Sequence, residues 1–289
     1  MSDTGRKIGV FGLGLIGSAV ASRLIGAGYH VRGYDPDPER GAALVGLGGN
    51  ACTTTEVWGA DVIFSCVFDT DQLAAVIDTA PKADRILVSV STCDPDRMQG
   101  LADAAAVRGI TLIEAPISGT SKALADGDVL MMVAGDPDVV ESLAPVLNVL
   151  SRQHLHVGAI GNGNRAKLAI NLVLGLNRAA LAEGLVFAEA LGIAPNDFLD
   201  IARASAAQSA VMNSKGQMMA AREFAPQGRI VQSAKDFTLI RDGAAALGQG
   251  LPFAETYLAM MQDAIDHGEG DLDNSAILLP IARAPSRDG

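Results

Sequence analysis

The chain has 289 residues, 49% of them hydrophobic and 19% charged, enough apolar material for a sizeable core and more length than one core usually organises. A formal net charge of −11, with no clustered basic stripe, argues against nucleic acid and anionic membrane surfaces as partners. The longest apolar stretch, near residues 168–176, is interrupted by Asn171 and Gly175 and flanked by Lys167 and Arg178, so no segment reads as a membrane span. The first residues lack the layout of a signal peptide, and a cytoplasmic location is expected. Cys52, Cys66 and Cys93 form no CxxC pair and are expected to be reduced thiols. His154 and His156 share one strand face without a third ligand nearby, so no metal is expected.

The first half alternates. β-rich runs at 7–11, 30–35, 61–68, 85–92, 110–115, 129–134 and 154–157 are separated by helical stretches such as 16–27, 71–80, 95–108 and 137–150. Nearly continuous apolar strands joined by helices predict a Rossmann-type, doubly wound and mostly parallel sheet covered on both faces. The pattern stops near Gly158. A glycine-rich bend at 158–163 follows, and 164–191 then has no proline and is dense in Ala and Leu. A helix of that length extends about 42 Å, and being apolar nearly all round it is expected to be buried between domains or subunits. Helical stretches follow at 195–207, 231–247, 252–266 and 275–282. The spacing therefore predicts a dinucleotide-binding domain over 1–160 and an all-α domain over 161–289, joined by a long helix at about 163–191.

Strand 7–11 runs directly into Gly12-Leu13-Gly14-Leu15-Ile16-Gly17, which opens a helix. Gly12 makes the tight turn, Gly14 admits a pyrophosphate, and Gly17 lets helix and strand pack closely. The helix start adds free N–H groups and a favourable dipole. Asp35 ends the second strand, where a carboxylate accepts the adenosine ribose hydroxyls and repels a 2′-phosphate. Pro36-Asp37-Pro38-Glu39 add no positive charge before Arg40, so NAD is expected and NADP disfavoured, with Arg32 and Arg40 the residues that weigh the other way.

The long helix opens with Gly161-Asn-Gly-Asn-Arg-Ala-Lys167-Leu-Ala-Ile-Asn171. Lys167 and Asn171 share a face, and Asn164 and Arg178 fall close to the same stripe. Burial lowers the proton affinity of a lysine, which suits proton transfer near neutral pH. A lysine that only snorkels or pairs with a carboxylate is the bland alternative.

These motifs occur in a fixed order with Ser91-Thr92-Cys93-Asp94-Pro95, Glu114-Ala-Pro-Ile-Ser118-Gly119-Thr120, Lys235-Asp236 and Gly270-Asp-Leu-Asp-Asn-Ser-Ala276. Over nearly its whole length the chain resembles the beta-hydroxyacid dehydrogenase family, which includes 3-hydroxyisobutyrate dehydrogenase and the tartronate and succinic semialdehyde reductases. The resemblance implies Lys167 as the general acid/base and Asn171 as a holder of the substrate's oxygen atoms. It implies Ser118, Gly119 and Thr120 against the substrate carboxylate, and Thr92 and Lys235 against the cofactor, with Asp236 orienting Lys235. Two departures stand out. The family's Ser-Gly-Gly ends here in Thr120, and the exit of the fourth strand, often leucine followed by proline, is Val67-Phe68. Val67, Phe68 and Gln72 are taken as further cofactor contacts.

The expected reaction is hydride transfer between NAD and the beta-hydroxyl carbon of a small hydroxy acid, or reduction of the matching semialdehyde or keto acid. The alternatives are an NADP-dependent semialdehyde or imine reductase and a non-catalytic dinucleotide-binding scaffold. Imine-reducing relatives replace the lysine, which this chain keeps, and phosphogluconate oxidation goes with a much larger helical domain. The apolar circumference of the long helix suggests a homodimer or homotetramer.

Overall fold

In the computed structural model, which describes residues 5–284, the alternation of the first half builds a parallel sheet. Along the chain come β1 (Lys7–Phe11), α1 (Leu15–Gly26), β2 (His30–Tyr34), α2 (Pro38–Gly46), β3 (Asn50–Ala51), α3 (Thr54–Val57), β4 (Val62–Ser65), α4 (Thr70–Asp78), β5 (Arg85–Ser89), α5 (Pro95–Ala106) and β6 (Ile110–Glu114). The strands lie in the order β3-β2-β1-β4-β5-β6, with every neighbouring pair parallel. Strand order reverses between β1 and β4, where open α/β sheets place their ligands outside the carboxyl ends.

Both faces of the sheet are covered, which explains the continuous apolar runs. Ile63, Leu87 and Leu112 join Val57, Leu73, Ile77 and Met98 on one side. The alternate residues Val62, Phe64, Val88 and Ile113 pack with Val20 and Leu24 of α1 on the other. Three helices start the same way. Asp37, Asp94 and Asp136 accept N–H groups two residues on (2.9, 3.0 and 2.9 Å), with proline at the first helical position each time.

A second sheet follows: β7 (Ile117–Ser118), α6 (Ser121–Ala125), β8 (Leu130–Val133), α7 (Pro137–Leu150) and β9 (Gln153–His156). β7 and β8 are antiparallel, β8 and β9 parallel, and the pair Glu114–Ala134 bridges this sheet to the end of β6. The short strands β3 and β7, and the helices α2, α3 and α6, add to the elements expected.

The remaining elements are α8 (Asn162–Ala190), α9 (Pro195–Ala204), α10 (Ala210–Ala221), α11 (Ile230–Ala246), α12 (Pro252–Asp266), a short 3-10 turn (Asn274–Ile277) and α13 (Leu278–Arg283). α10 adds to the expected set. The chain divides into two units, Met1–Lys167 and Leu168–Gly289, so the division falls inside α8 rather than at the bend before it. The physical reason lies in the first turn of α8, which Glu114 and Cys93 of the first unit hold by hydrogen bonds.

The second unit has its own core, in which Leu181, Ala182 and Leu185 of α8 join Leu199, Met219, Phe237, Tyr257 and Met261. Gly175, which looked like an interruption, is demanded by packing: a Cβ there would lie 2.4 Å from the Phe237 ring. α8 departs from one expectation. By length and composition alone it is long and apolar enough to cross a membrane, because neither Asn171 nor Gly175 carries charge. One side of it is built into the helical core just described, while Val173 and Phe187 are exposed.

Candidate active site

The Gly12–Gly17 turn leaves β1 at the strand-order reversal. Gly12 adopts φ +81, and a Cβ there would lie 2.7 Å from the Cys66 carbonyl oxygen. A Cβ on Gly17 would sit 1.8 Å from the Gly12 oxygen, so the helix could not start this close to the strand with any larger residue. Gly14 is different. Its hypothetical Cβ meets only the Arg40 Nη1, at 3.8 Å, which leaves the backbone open to an approaching group. Gly14 is also the N-cap of α1, and no side chain caps that helix. Open backbone at a bare helix start fits a pyrophosphate. The exposed Leu15 and half-buried Ile16 form the first helical turn, and Leu13 is buried beneath it.

Asp35 fastens this turn to the end of β2. Its Oδ2 accepts the Leu13 N–H at 2.7 Å and lies 3.3 Å from the Arg40 Nη1, while Oδ1 accepts the Asp37 N–H at 3.0 Å. The Asp35 side chain is only 3% exposed, and Arg40 is shared with Asp37 at 3.4 Å. The carboxylate expected to wait for ribose is thus already engaged, and the Arg40 charge is compensated twice. An open depression of about 520 Å³, with Tyr34, Asp35, Pro38, Val45, Cys52 and Glu56 in its wall, adjoins it. Burial pushes the Cys52 thiol up, with the nearby Glu56 adding to the effect. No disulfide joins Cys52, Cys66 or Cys93.

At the carboxyl ends of β4 and β5 two loops are tied together. The Ser91 hydroxyl donates to the Val67 carbonyl (2.7 Å), and the Asp94 N–H donates to the Thr70 hydroxyl (2.9 Å). Gln72 turns its side-chain carbonyl to the Phe68 N–H at 2.9 Å, while its own N–H is capped by Asp69 at 2.8 Å. Its acceptor therefore closes the start of α4. Thr92 is buried beside these loops, and Phe68 is partly exposed.

Ser118 lies in β7 opposite Leu130. A Cβ on Gly119 would lie 2.6 Å from Val129, so this turn admits only glycine at its centre. Thr120 caps α6, its hydroxyl accepting the Ala123 N–H at 3.1 Å. The departure from Ser-Gly-Gly thus has a local cause in the helix that follows.

Lys167 is half-buried on the second turn of α8. In the first turn Asn164 is hydrogen-bonded to Glu114 at the end of β6, and both are 0% exposed, a contact that the sequence did not reveal. Burial pushes the Glu114 carboxyl above its ordinary range, and bonds from Asn164, Gly161 and Gly163 pull it partly back.

In the second unit, Asp236 holds two of the expected site residues at once. Its Oδ2 accepts from the Asn171 amide at 2.7 Å, and its Oδ1 forms an ion pair with the Lys235 ammonium at 3.0 Å. Arg178 donates to the Tyr257 hydroxyl at 2.9 Å, a structural tie rather than part of this group.

Comparison with known proteins identifies the family. Residues 7–158 match the family model described as the NAD binding domain of 6-phosphogluconate dehydrogenase. Residues 161–281 match the one described as NAD-binding of NADP-dependent 3-hydroxyisobutyrate dehydrogenase. The chain belongs to the beta-hydroxyacid dehydrogenase family.

Members of the family resemble it end to end. A 2-(hydroxymethyl)glutarate dehydrogenase of Eubacterium barkeri is 30% identical, over 94% of this chain and 93% of that protein. The chloroplastic glyoxylate/succinic semialdehyde reductase 2 of Arabidopsis thaliana is 28% identical, over 98% of this chain and 81% of its own length. The crystal structure of a 3-hydroxyisobutyrate dehydrogenase from Salmonella typhimurium superposes with a TM-score of 0.87 at 27% identity, covering 95% of this chain and 99% of that one. The family's two-part plan, a Rossmann-type sheet followed by helices, is the plan seen here.

Proposed function

We propose that this chain is an NAD-dependent oxidoreductase acting on the beta-hydroxyl of a small hydroxy acid, or reducing the matching semialdehyde or keto acid. The observation that carries the reading is the uncapped Gly12–Gly17 helix start at the strand-order reversal, followed along the chain by a half-buried lysine near the start of α8. NAD supplies the nicotinamide that exchanges a hydride with the substrate carbon. Lys167 takes the hydroxyl proton during oxidation and returns it to the alkoxide oxygen during reduction. Ser118 and Gly119 receive the substrate carboxylate, with Thr120 setting the turn, and Asn171 holds a substrate oxygen. Thr92, Lys235, Val67, Phe68 and Gln72 are assigned to the cofactor.

NAD rather than NADP is supported by Asp35 in the wall of the depression and by the compensation of Arg40 by two carboxylates. The description of the second family model names an NADP-dependent enzyme, so the test compares both cofactors.

The protein is assayed by NADH and NADPH absorbance with 3-hydroxyisobutyrate, 2-(hydroxymethyl)glutarate, glyoxylate and succinic semialdehyde. Turnover of at least one is expected, with NAD(H) preferred. Lys167→Ala is expected to lower kcat about 100- to 10,000-fold while NADH affinity is kept. Retained turnover in that variant rules out the role of Lys167, and NADH binding without turnover of any compound favours a scaffold.

A further inference from the structure

The contact between Glu114 and Asn164 joins three elements of the first unit through two fully buried polar side chains. Glu114, the last residue of β6, accepts the Gly161 N–H on one oxygen. Its other oxygen accepts both the backbone N–H of Asn164 (3.2 Å) and the Asn164 side-chain amide. The remaining end of that amide, Oδ1, accepts the Cys93 N–H at 2.7 Å. One asparagine thus ties the loop after β5 and the end of β6 to the opening of α8.

The fit around this contact is tight. Gly163 rests directly on it, since a Cβ there would lie 2.9 Å from the Glu114 Cβ and 3.1 Å from the Met132 carbonyl oxygen. The second glycine of Gly161-Asn162-Gly163 is therefore where α8 meets the sheet. A neutral residue would satisfy the first N–H groups of a helix at less desolvation cost than a buried carboxyl. What Glu114 and Asn164 add is direction: backbone donors and one side-chain donor from the first turn converge on one carboxyl, which admits a single height and rotation of the helix start.

We propose that Glu114 and Asn164 are positioning residues, which together set the first turn of α8 against the carboxyl edge of the sheet and so fix where the Lys167 ammonium stands relative to the loop around Thr92 and Cys93. Asn164 precedes Lys167 by less than one helical turn, so a rotation or lift of the first turn is passed to the lysine through the helix backbone. The inference rests on the reading of Lys167 as the acid/base, and it assigns neither Glu114 nor Asn164 any contact with substrate.

The test uses Asn164→Ala and the milder Glu114→Gln in the full chain. Four quantities are measured: thermal melting, NADH affinity by fluorescence, kcat and KM with the panel compound that wild type turns over fastest, and acetic anhydride labelling of Lys167. Labelling is read by peptide mass spectrometry, with exposed Lys122 as the reference. Asn164→Ala is expected to lower kcat about 10- to 100-fold with KM and NADH affinity unchanged. The labelling of Lys167 relative to Lys122 is expected to change severalfold, and Glu114→Gln, which keeps one acceptor, to show the same pattern more weakly. Unchanged kcat and unchanged labelling overturn the proposal. So does a fall in NADH affinity and melting temperature in step with kcat, which marks a merely structural role. If wild type turns over no panel compound, labelling decides alone. A severalfold change then leaves the positioning role standing while the acid/base reading falls, and no change removes both.

Discussion

Lys215 of α10 sets its ammonium 2.8 and 2.7 Å from the two carboxylate oxygens of Asp273, with both side chains closed off from water. Asp273 also accepts the N–H groups of Gln227 (2.8 Å), Gly228 (3.2 Å) and Ser275 (3.0 Å) and the Ser275 hydroxyl (2.7 Å). A single buried carboxylate therefore holds α10, the segment before α11 and the 3-10 turn. Lys215→Met strands that carboxylate and is expected to cost about 3–5 kcal/mol, measured by urea unfolding at neutral pH. Burial alone would raise the Asp273 carboxyl. The Lys215 charge and the hydrogen bonds more than reverse this and hold it below its ordinary value. A carboxyl depressed in the folded state contributes stability above its unfolded pKa and loses it as pH falls through the folded one. Melting temperature is thus expected to drop as pH falls below the usual carboxylate range, and Asp273→Asn to be less stable at neutral pH but flatter in acid. Parallel acid dependence in the two proteins counts against this assignment.

Asp35 serves two tasks, anchoring the Leu13 N–H and presenting negative charge beside Arg40. Asp35→Asn is expected to weaken NADH binding about tenfold, the loss expected for a hydrogen bond to a charged group. It is also expected to strengthen NADPH binding, because Arg40 is left with only Asp37. The melting temperature should fall as well, since the glycine turn loses a charged acceptor. Side-by-side fluorescence titrations with NADH and NADPH check this, and an unchanged ratio goes against the choice of NAD.

The shared grip of Asp236 on Asn171 and Lys235 makes it the point where both are most easily disturbed. Asp236→Asn leaves the Asn171 amide without a charged acceptor and removes the ion pair of Lys235. Steady-state kinetics are expected to show kcat/KM down about tenfold, the cost of a lost hydrogen bond to a charged group. Unaltered kinetics would mean that neither neighbour contributes to turnover.

Val173 and Phe187 are 59% and 65% exposed on α8, and their spacing of nearly four turns puts them on one side of the helix. Large apolar side chains in such a row suit a second copy of the chain. Wild type is expected to sediment as a dimer or tetramer, and Val173→Glu with Phe187→Glu as a smaller species. A wild-type monomer sinks the expectation.

How legible all this was depended on whether a feature leaves a local trace. α7 and α12 begin and end where the spacing placed them, because proline marks the first residue of each. α10 escaped because its Asn, Ser, Lys and Gln residues blur any apolar stripe, and Gly216 argues against a helix, although Leu199 demands it: a Cβ there would lie 2.5 Å from that side chain. β3 and β7 are two residues long, too short to show a period. Thr120, expected in a substrate turn, has a further role as an N-cap, for which the helix-forming run after it carried the signal. Glu114 showed only as the first residue of a motif, and its grip on α8 left no local sign, since its partners lie 47 and 50 residues along the chain and only folding brings them together.

The Glu114–Ala134 bridge has a consequence for how this architecture diversifies. Among the described residues β7 pairs with β8 alone, so the segment carrying Ser118, Gly119 and Thr120 takes its register from the parallel sheet indirectly, through that bridge. A library randomising Ser121 and Lys122 alone keeps the Thr120 cap of α6 and the Leu124 contact with the core around α1, which makes those two positions the place to vary side-chain chemistry by laboratory evolution.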